Sequence, residues 1–378
     1  MHRITLCLLP VLLDAADVAA PPALDRDRPL VQVAILLDDS GSMDGLINQA
    51  RAHLWDLVNQ AVKLTHDGRR PRVEVALYHY GSVGFLSQPL LPFSDDLDEV
   101  SKQLFAIKGG GGEERCGEVI ANATRQLAWS NERSALKLIY ICGNEPFTQG
   151  PVDYRDACRA AITKGIMVNT IHCGSDADGR SGQWADAAHL ADGSFANIDQ
   201  NQAVVAIAAP QDARIAELNG KLNATYLCYG GAAGEAKFAN QAAQDANALA
   251  SGAFAKRASS KTSGAYSNGS WDLVDAVTTK KVDLATLPKD QLPAELKPLD
   301  DAALSAAVAA KAKERAAVQV ELATMTADRE RFVAEAQRRQ AVSNGQGQAA
   351  TLGDALCRSL VEQAGKHGYQ ADGQTTKP

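Results

Sequence analysis

Between Leu30 and Asp199 the chain alternates strand-like apolar runs with helix-periodic segments, and no other feature constrains its fold as much. Strands separated by helices favour a parallel sheet covered on both faces. The first run, VQVAILLD, ends at Asp38 and leads into a stretch where Ile47, Ala50, Leu54, Leu57, Ala61 and Leu64 share one helical stripe. RVEVALYHYG follows, with Val73, Val75 and Leu77 alternating as on a half-exposed edge strand. Helical patterns near 95–107, 117–127, 154–164 and 183–190 surround the runs LKLIYIC, IMVNTIHC and SFANI. The expected fold is α/β, a doubly wound, mostly parallel sheet over residues 30–200.

Beyond Gln200 the composition shifts toward Ala, Asn, Gln and Gly, which predicts a helical or irregular appendage over 201–280. Pro288, Pro293 and Pro298 mark 281–300 as a linker. Residues 301–340 read as one long helix. A three-four walk along it visits Leu304, Val308, Lys311, Arg315, Val318, Leu322, Met325, Arg329, Phe332 and Ala336. Lys311, Arg315 and Arg329 interrupt that seam, so a short coiled coil or a helix packed on the main domain is expected ahead of a long dimer zipper. Self-association through 301–340 is the interaction such a seam allows. A final amphipathic helix is expected over 350–366.

The 378 residues, 46% of them hydrophobic, suffice to bury a sizeable core. A formal charge of -7 argues against nucleic acid as a partner, because that affinity rests on neutralising phosphates, and it suits a protein that holds a cation. Residues 1–20 have a basic start at His2 and Arg3, an apolar stretch from Ile4 to Leu13 and small residues around Val18–Ala20. That is the layout of a secretory signal peptide, and the stretch is too short to span a bilayer. It predicts a periplasmic or secreted protein where the signal acts, and a cytoplasmic one otherwise. Seven cysteines without a CxxC pair give no zinc framework and no disulfide pairing that can be chosen. The sequons at Asn122, Asn223 and Asn268 matter only if the protein is secreted and glycosylated.

The chemistry concentrates in LLDDSGSM, Leu36 to Met43. Asp38-x-Ser40-x-Ser42 falls on the turn after the first strand, at the carboxyl edge where open parallel sheets bind ligands. A carboxylate and two hydroxyls on one tight loop form a partial oxygen shell for a hard cation such as Mg2+. Helix capping needs only one such residue, and this loop offers four. The glycine run Gly109–Gly112 has no following GK[ST], so it is no phosphate-binding loop. His172 and Cys173 end a strand at the same edge and are expected to be structural, and Trp55 and Trp184 are expected to pack.

DDSGSM after an apolar strand resembles the von Willebrand factor type A domain and its metal-ion-dependent adhesion site, in a protein expected to be bacterial and exported. The resemblance covers residues 30–200. It implies a divalent cation, Mg2+ foremost with Mn2+ or Ca2+ as alternatives, and a protein partner whose acidic residue completes the coordination. Asp38, Ser40 and Ser42 match the motif. Where the family usually places a threonine in a glycine-rich loop, this chain has GGGGEERCGE, and Glu113 or Glu114 stands in its place. Where the family has an aspartate after the middle strand, LIYICGNEPF places Gly143, with Asn144 and Glu145 one and two residues on. Asp39, Met43 and Asn144 are the candidate partner contacts. No nucleophile, base and oxyanion arrangement is legible here, so a non-enzymatic binding module is expected. DDSGS superficially resembles the aspartate loop of haloacid-dehalogenase-like phosphatases, but the second aspartate of that chemistry would fall at Ser40. The alternative is a scaffold with a metal-free domain that acts through its C-terminal helices.

Overall fold

The computed structural model describes residues 28–41, 43–81, 88–199, 207–344 and 351–371, the side chains of 341–344 excepted. Ser42 and the signal-like residues 1–20 lie outside the described residues. The first part of the chain runs β1 (Leu30–Asp38), α1 (Asp44–Ala61), β2 (Leu64–Thr65), β3 (Arg72–Tyr80), β4 (Leu91–Ser94), α2 (Leu97–Ala106), α3 (Cys116–Gln126), β5 (Leu136–Gly143), α4 (Tyr154–Thr163), β6 (Ile166–Cys173), α5 (Asp176–Ser181), α6 (Trp184–Leu190) and β7 (Phe195–Ile198). Among the described residues the main sheet has the order β4-β3-β1-β5-β6-β7. All pairings are parallel except β3 with β4.

Every residue of β1 is buried, as a strand covered on both faces requires. Val31, Val33, Ile35 and Leu37 face α1 and α2, while Ala34 and Leu36 face α3, α4 and α6. Each fully buried aliphatic side chain contributes roughly 1.5–3 kcal/mol relative to exposure. The register aligns Asp38 with Tyr80, Leu37 with Cys142 and Gly143 with His172, so the carboxyl ends of four neighbouring strands meet at one level. From β1 the chain adds strands on one side and then on the other, which opens a crevice at those ends. RVEVALYHYG is not the edge strand: β4 covers it, and the exposed Pro92 suits β4 to the edge because proline cannot donate to a further strand.

The second part runs α7 (Asp212–Asn223), α8 (Gly231–Ala250), α9 (Phe254–Ser260), α10 (Leu273–Thr278), a 3-10 turn at Lys289–Gln291 and α11 (Asp301–Asn344). Segment 281–300 is packed rather than loose, since Leu292 and Leu296 are buried against Leu304 and Val308. The cations that interrupt the α11 seam turn inward. Arg315 pairs with Asp272 and Asp275 at 2.5 and 2.6 Å, Arg329 meets Asp212 at 2.5 Å, and Lys311 donates to Ala224 O at 3.2 Å. The seam expected to serve self-association is thus covered within the chain by α7, α9 and α10. Arg257 of α9 joins the two parts, bonding Asp98 of α2 at 2.6 Å and lying over the Trp55 ring of α1.

The chain then returns to the sheet. Helix α12 (Leu352–Lys366) buries Leu352, Leu356 and Leu360 beside α1, and β8 (Gln370–Ala371) pairs with β2. Polar contacts fix its register. Leu352 N donates to Gln49 Oε1 at 2.9 Å, Ser359 Oγ to the Tyr140 hydroxyl at 3.2 Å, and the amides of Asn169 and Gln363 exchange two bonds of 2.5 and 3.0 Å. A helix distant in sequence therefore completes the sheet layer.

The two ion pairs of α11 are expected to differ sharply in worth. Arg315→Ala strands Asp272, which is fully buried, and should lower stability by about 3–5 kcal/mol. Arg329→Ala releases a carboxylate that is 42% exposed and should cost less than about 1 kcal/mol. Urea unfolding of the two variants checks the ranking.

Candidate functional site

Asp38 closes the central strand with its carboxylate fully buried. Its Oδ1 accepts from Ser40 N at 2.8 Å, and its Oδ2 has no hydrogen-bond partner among the described residues. Glu114, 6% exposed, enters from the loop before α3, with its backbone N–H held by Gln149 Oε1 at 3.1 Å. The side chains of Asp38, Ser40 and Glu114 interact with one another. All three lie around Gly81, where an added Cβ would come 2.5 Å from Asp38 Oδ1 and 3.2 Å from Glu114 Cγ, and where φ is +92°. Glycine is required on both counts. Burial, then the neighbouring carboxylate, pushes Glu114 up to about 8, and burial pushes Asp38 up to about 6. Two acids with little water around them hold protons that aqueous carboxylates would release.

The structure separates the two glutamates. Glu113 points outward, 67% exposed, and pairs with Arg115 at 2.9 Å. Glu145 is half-buried, accepts from Gln149 Nε2 at 3.3 Å, and its charge adds to the upward shift of Glu114. Asn144 is half-buried with Oδ1 unpartnered among the described residues, and its carbonyl accepts from His172 Nε2 at 3.2 Å. Asp39 and Met43, expected as partner contacts, are 1% and 0% exposed: Met43 packs into the core under α1 and Asp39 turns to His79. Neither offers a surface to a partner in this conformation.

Gly143 has a steric reason. A Cβ there would lie 2.6 Å from the Tyr80 hydroxyl and 3.1 Å from Asp38 Oδ2, so the space of a side chain is already taken by Tyr80, which donates to Cys142 O at 2.9 Å. Tyr80 reads from the sequence as packing, and Gly81 and Gln149 escaped that reading, because their roles are contacts between segments distant in the chain. His172 is structural, bonded to Asn197 as well as Asn144, and burial holds the Cys173 thiol well above its ordinary range. The six described cysteines are free. Asn122 and Asn268 are buried, and the Asn223 amide bonds Asp245, so none of the three sequons presents a free side chain.

Among the described residues no three His, Cys, Asp or Glu side chains converge as a ready metal shell. What converges is two carboxylates and a hydroxyl, an oxygen-only set with one buried carboxylate oxygen left unsatisfied, and this fits a hard cation better than zinc.

Residues 32–206 match the family model of the von Willebrand factor type A domain. The chain carries a domain of that family, within a sheet of the expected class, and such domains generally act as interaction modules. No curated protein matches the chain. Similar solved structures include the SpRpn10 VWA domain, at 15% identity over 46% of this chain and 90% of that one with a TM-score of 0.37. Another is an aerotolerance-related membrane protein from Bacteroides fragilis, at 18% identity, 46% and 94% coverage and a TM-score of 0.33. A third is proximal thread matrix protein 1 from the mussel byssus with a zinc-occupied MIDAS motif, at 11% identity and a TM-score of 0.36. It covers 46% of this chain, which spans 43% of the mussel protein. Similarities this distant carry nothing about partners. Among the described residues no helix is long and apolar enough to cross a membrane.

Two measurements follow from this geometry. Between the ordinary values of 3.8 and 4.5 and the raised values of about 6 and 8, the metal-free folded protein holds protons that the unfolded chain has released. Stability from this pair is therefore full below about pH 4 and is lost as pH rises through about 6 to 8. Chemical unfolding of EDTA-treated protein across this range should show that fall, and Glu114→Gln should flatten it. Separately, Gly143→Ala should destabilise by about 1–3 kcal/mol through overpacking. Tyr80→Phe, by removing the clashing hydroxyl, should recover part of that loss in a double-mutant cycle.

Proposed function

We propose that residues 30–200 form a non-enzymatic module that binds a protein partner through a divalent cation, with Mg2+ the first choice and Mn2+ or Ca2+ the alternatives. Asp38, Ser40 and Glu114 would hold the ion directly, with Ser42 as a further ligand and Glu145 reaching it through water. The observation that carries the reading is the buried, unpartnered Asp38 Oδ2 beside a second buried carboxylate. Such a pair is costly as two charges and protonates when alone, and a divalent cation relieves both the repulsion and the missing contact. When bound, the ion supplies an electrophilic centre for an acidic side chain of the partner. The chain's own part is to fix the oxygens. The Asp38 turn is set by the strand end, Glu114 is aimed by Gln149, and Glu113 is held outward by Arg115. The signal-like pattern of residues 1–20 favours action outside the cytoplasm.

A second reading, a metal-free domain serving as a scaffold, draws on one observation: the Tyr80 hydroxyl occupies the space beside Gly143 where a further carboxylate would stand. Calorimetric titration separates the two. EDTA-stripped protein should bind Mg2+ or Mn2+. Asp38→Asn, Ser40→Ala and Glu114→Gln should each weaken binding on the order of 10-fold or more, with Glu113→Gln unchanged. Equal affinity in parent and Ser40→Ala refutes the cation reading, and loss in Glu113→Gln with Glu114→Gln unaffected reverses the choice of glutamate.

A further inference from the structure

The residue between Asp38 and Ser40 is anchored by three hydrogen bonds. Asp39 N donates to Tyr80 O at 2.8 Å, and Asp39 O accepts from Gly110 N at 2.7 Å. Its carboxylate meets His79 Nδ1 at 2.5 Å. One residue thus ties the end of β1 to the end of β3 and to the glycine run that leads into Glu114. A carboxylate only accepts, so Nδ1 carries the hydrogen of this bond. The other Asp39 oxygen has no hydrogen-bond partner among the described residues, although the side chain is 99% enclosed, at 1% exposure.

We infer that His79 is a positioning residue for the cation site: by holding Asp39 it fixes the spacing between the Asp38 turn and Glu114 without touching the ion. The inference rests on the cation reading above and names what keeps its ligands in place. A buried carboxylate oxygen without a donor loses its hydration without replacement and is destabilising. With one Asp39 oxygen already unpartnered, loss of the His79 bond leaves the whole carboxylate unsatisfied. The side chain can escape only by turning toward water, and its backbone, bonded on both sides, takes the Asp38 turn and the glycine run with it. His79 is suited to the task by place. It lies at the end of β3 with its side chain 20% exposed, while Val73, Val75 and Leu77 of the same strand supply the core contacts. Replacing it removes a donor more than it opens a cavity.

The bond separates from general packing by comparing His79→Leu with His79→Asn, which keeps an N–H donor near the Nδ1 position. Mg2+ titration at one fixed pH should show His79→Leu weakened on the order of 10-fold or more and His79→Asn restored close to the parent. Circular dichroism accompanies each variant. If His79→Leu binds like the parent, or if a folded His79→Asn is as weak as His79→Leu, the inference is overturned. Should His79→Leu not fold, the affinity of His79→Asn against the parent decides, parental affinity supporting the inference and a 10-fold loss refuting it. A parent that binds none of Mg2+, Mn2+ and Ca2+ removes the cation reading instead. The His79–Asp39 bond then remains measurable as a coupling in urea unfolding of His79→Leu, Asp39→Asn and the double variant.

Discussion

A carboxylate at the buried end of the central strand sets the terms for everything near it. Asp38 cannot reach water, has one oxygen occupied by its own turn and faces a second buried acid. The surroundings yield to this demand. Gly81 has no side chain because Asp38 fills the space, Gly143 has none because Tyr80 does, and Glu114 keeps its proton because burial, and after it the nearby Asp38, disfavours its charge. Interior carboxylates are destabilising unless paired, protonated or ligated, and here Gly81 and Gly143 leave bare backbone beside one.

How much of this was legible in the sequence depends on the range of the contact. VQVAILLD followed by DSGS shows both a buried strand and an oxygen-bearing turn, because both are local, and the alternation of runs gives the parallel sheet. Which of Glu113 and Glu114 turns inward was not legible. Neighbouring loop residues carry no period, and the choice is made by Gln149 and Arg115 in space. Gly143 stands where the resemblance implies an aspartate, and the Tyr80 hydroxyl, opposite Asp38 in the strand register, leaves no room for a side chain there, a contact no local pattern shows. The edge strand β4 escaped because four residues containing a proline give no alternation to read.

The C-terminal half shows the same limit at longer range. The periodicity of 350–366 announces an apolar face but not its target, and the target is α1 and the sheet, fixed by amide and hydroxyl contacts to Gln49, Tyr140 and Asn169. The cations that interrupt the α11 seam looked like defects in a coiled coil. They are the residues that specify its partner, since Arg315 finds Asp272, which caps α10, and Asp275 within it, and Arg329 finds Asp212 on α7. A seam of pure leucine would pack against many surfaces, whereas a buried guanidinium tolerates only a surface that returns its charge.

Helix α1 joins these two economies of charge. Its first residues follow the Asp38 turn, and Met43, buried just before it, pins that end to the core. Toward its far end Trp55 lies under Arg257, Asp56 pairs with Lys256 at 2.6 Å, and Asn59 donates to Lys256 O at 2.9 Å, all on α9. Along its length Gln49 receives α12 and, through Asp199, the end of the sheet. The helix is therefore held by the site turn, the helical region and the returning C-terminal helix at once. A displacement of any one of these would have to break buried polar contacts made with the others, which ties the geometry of the oxygen cluster to the packing of the whole chain.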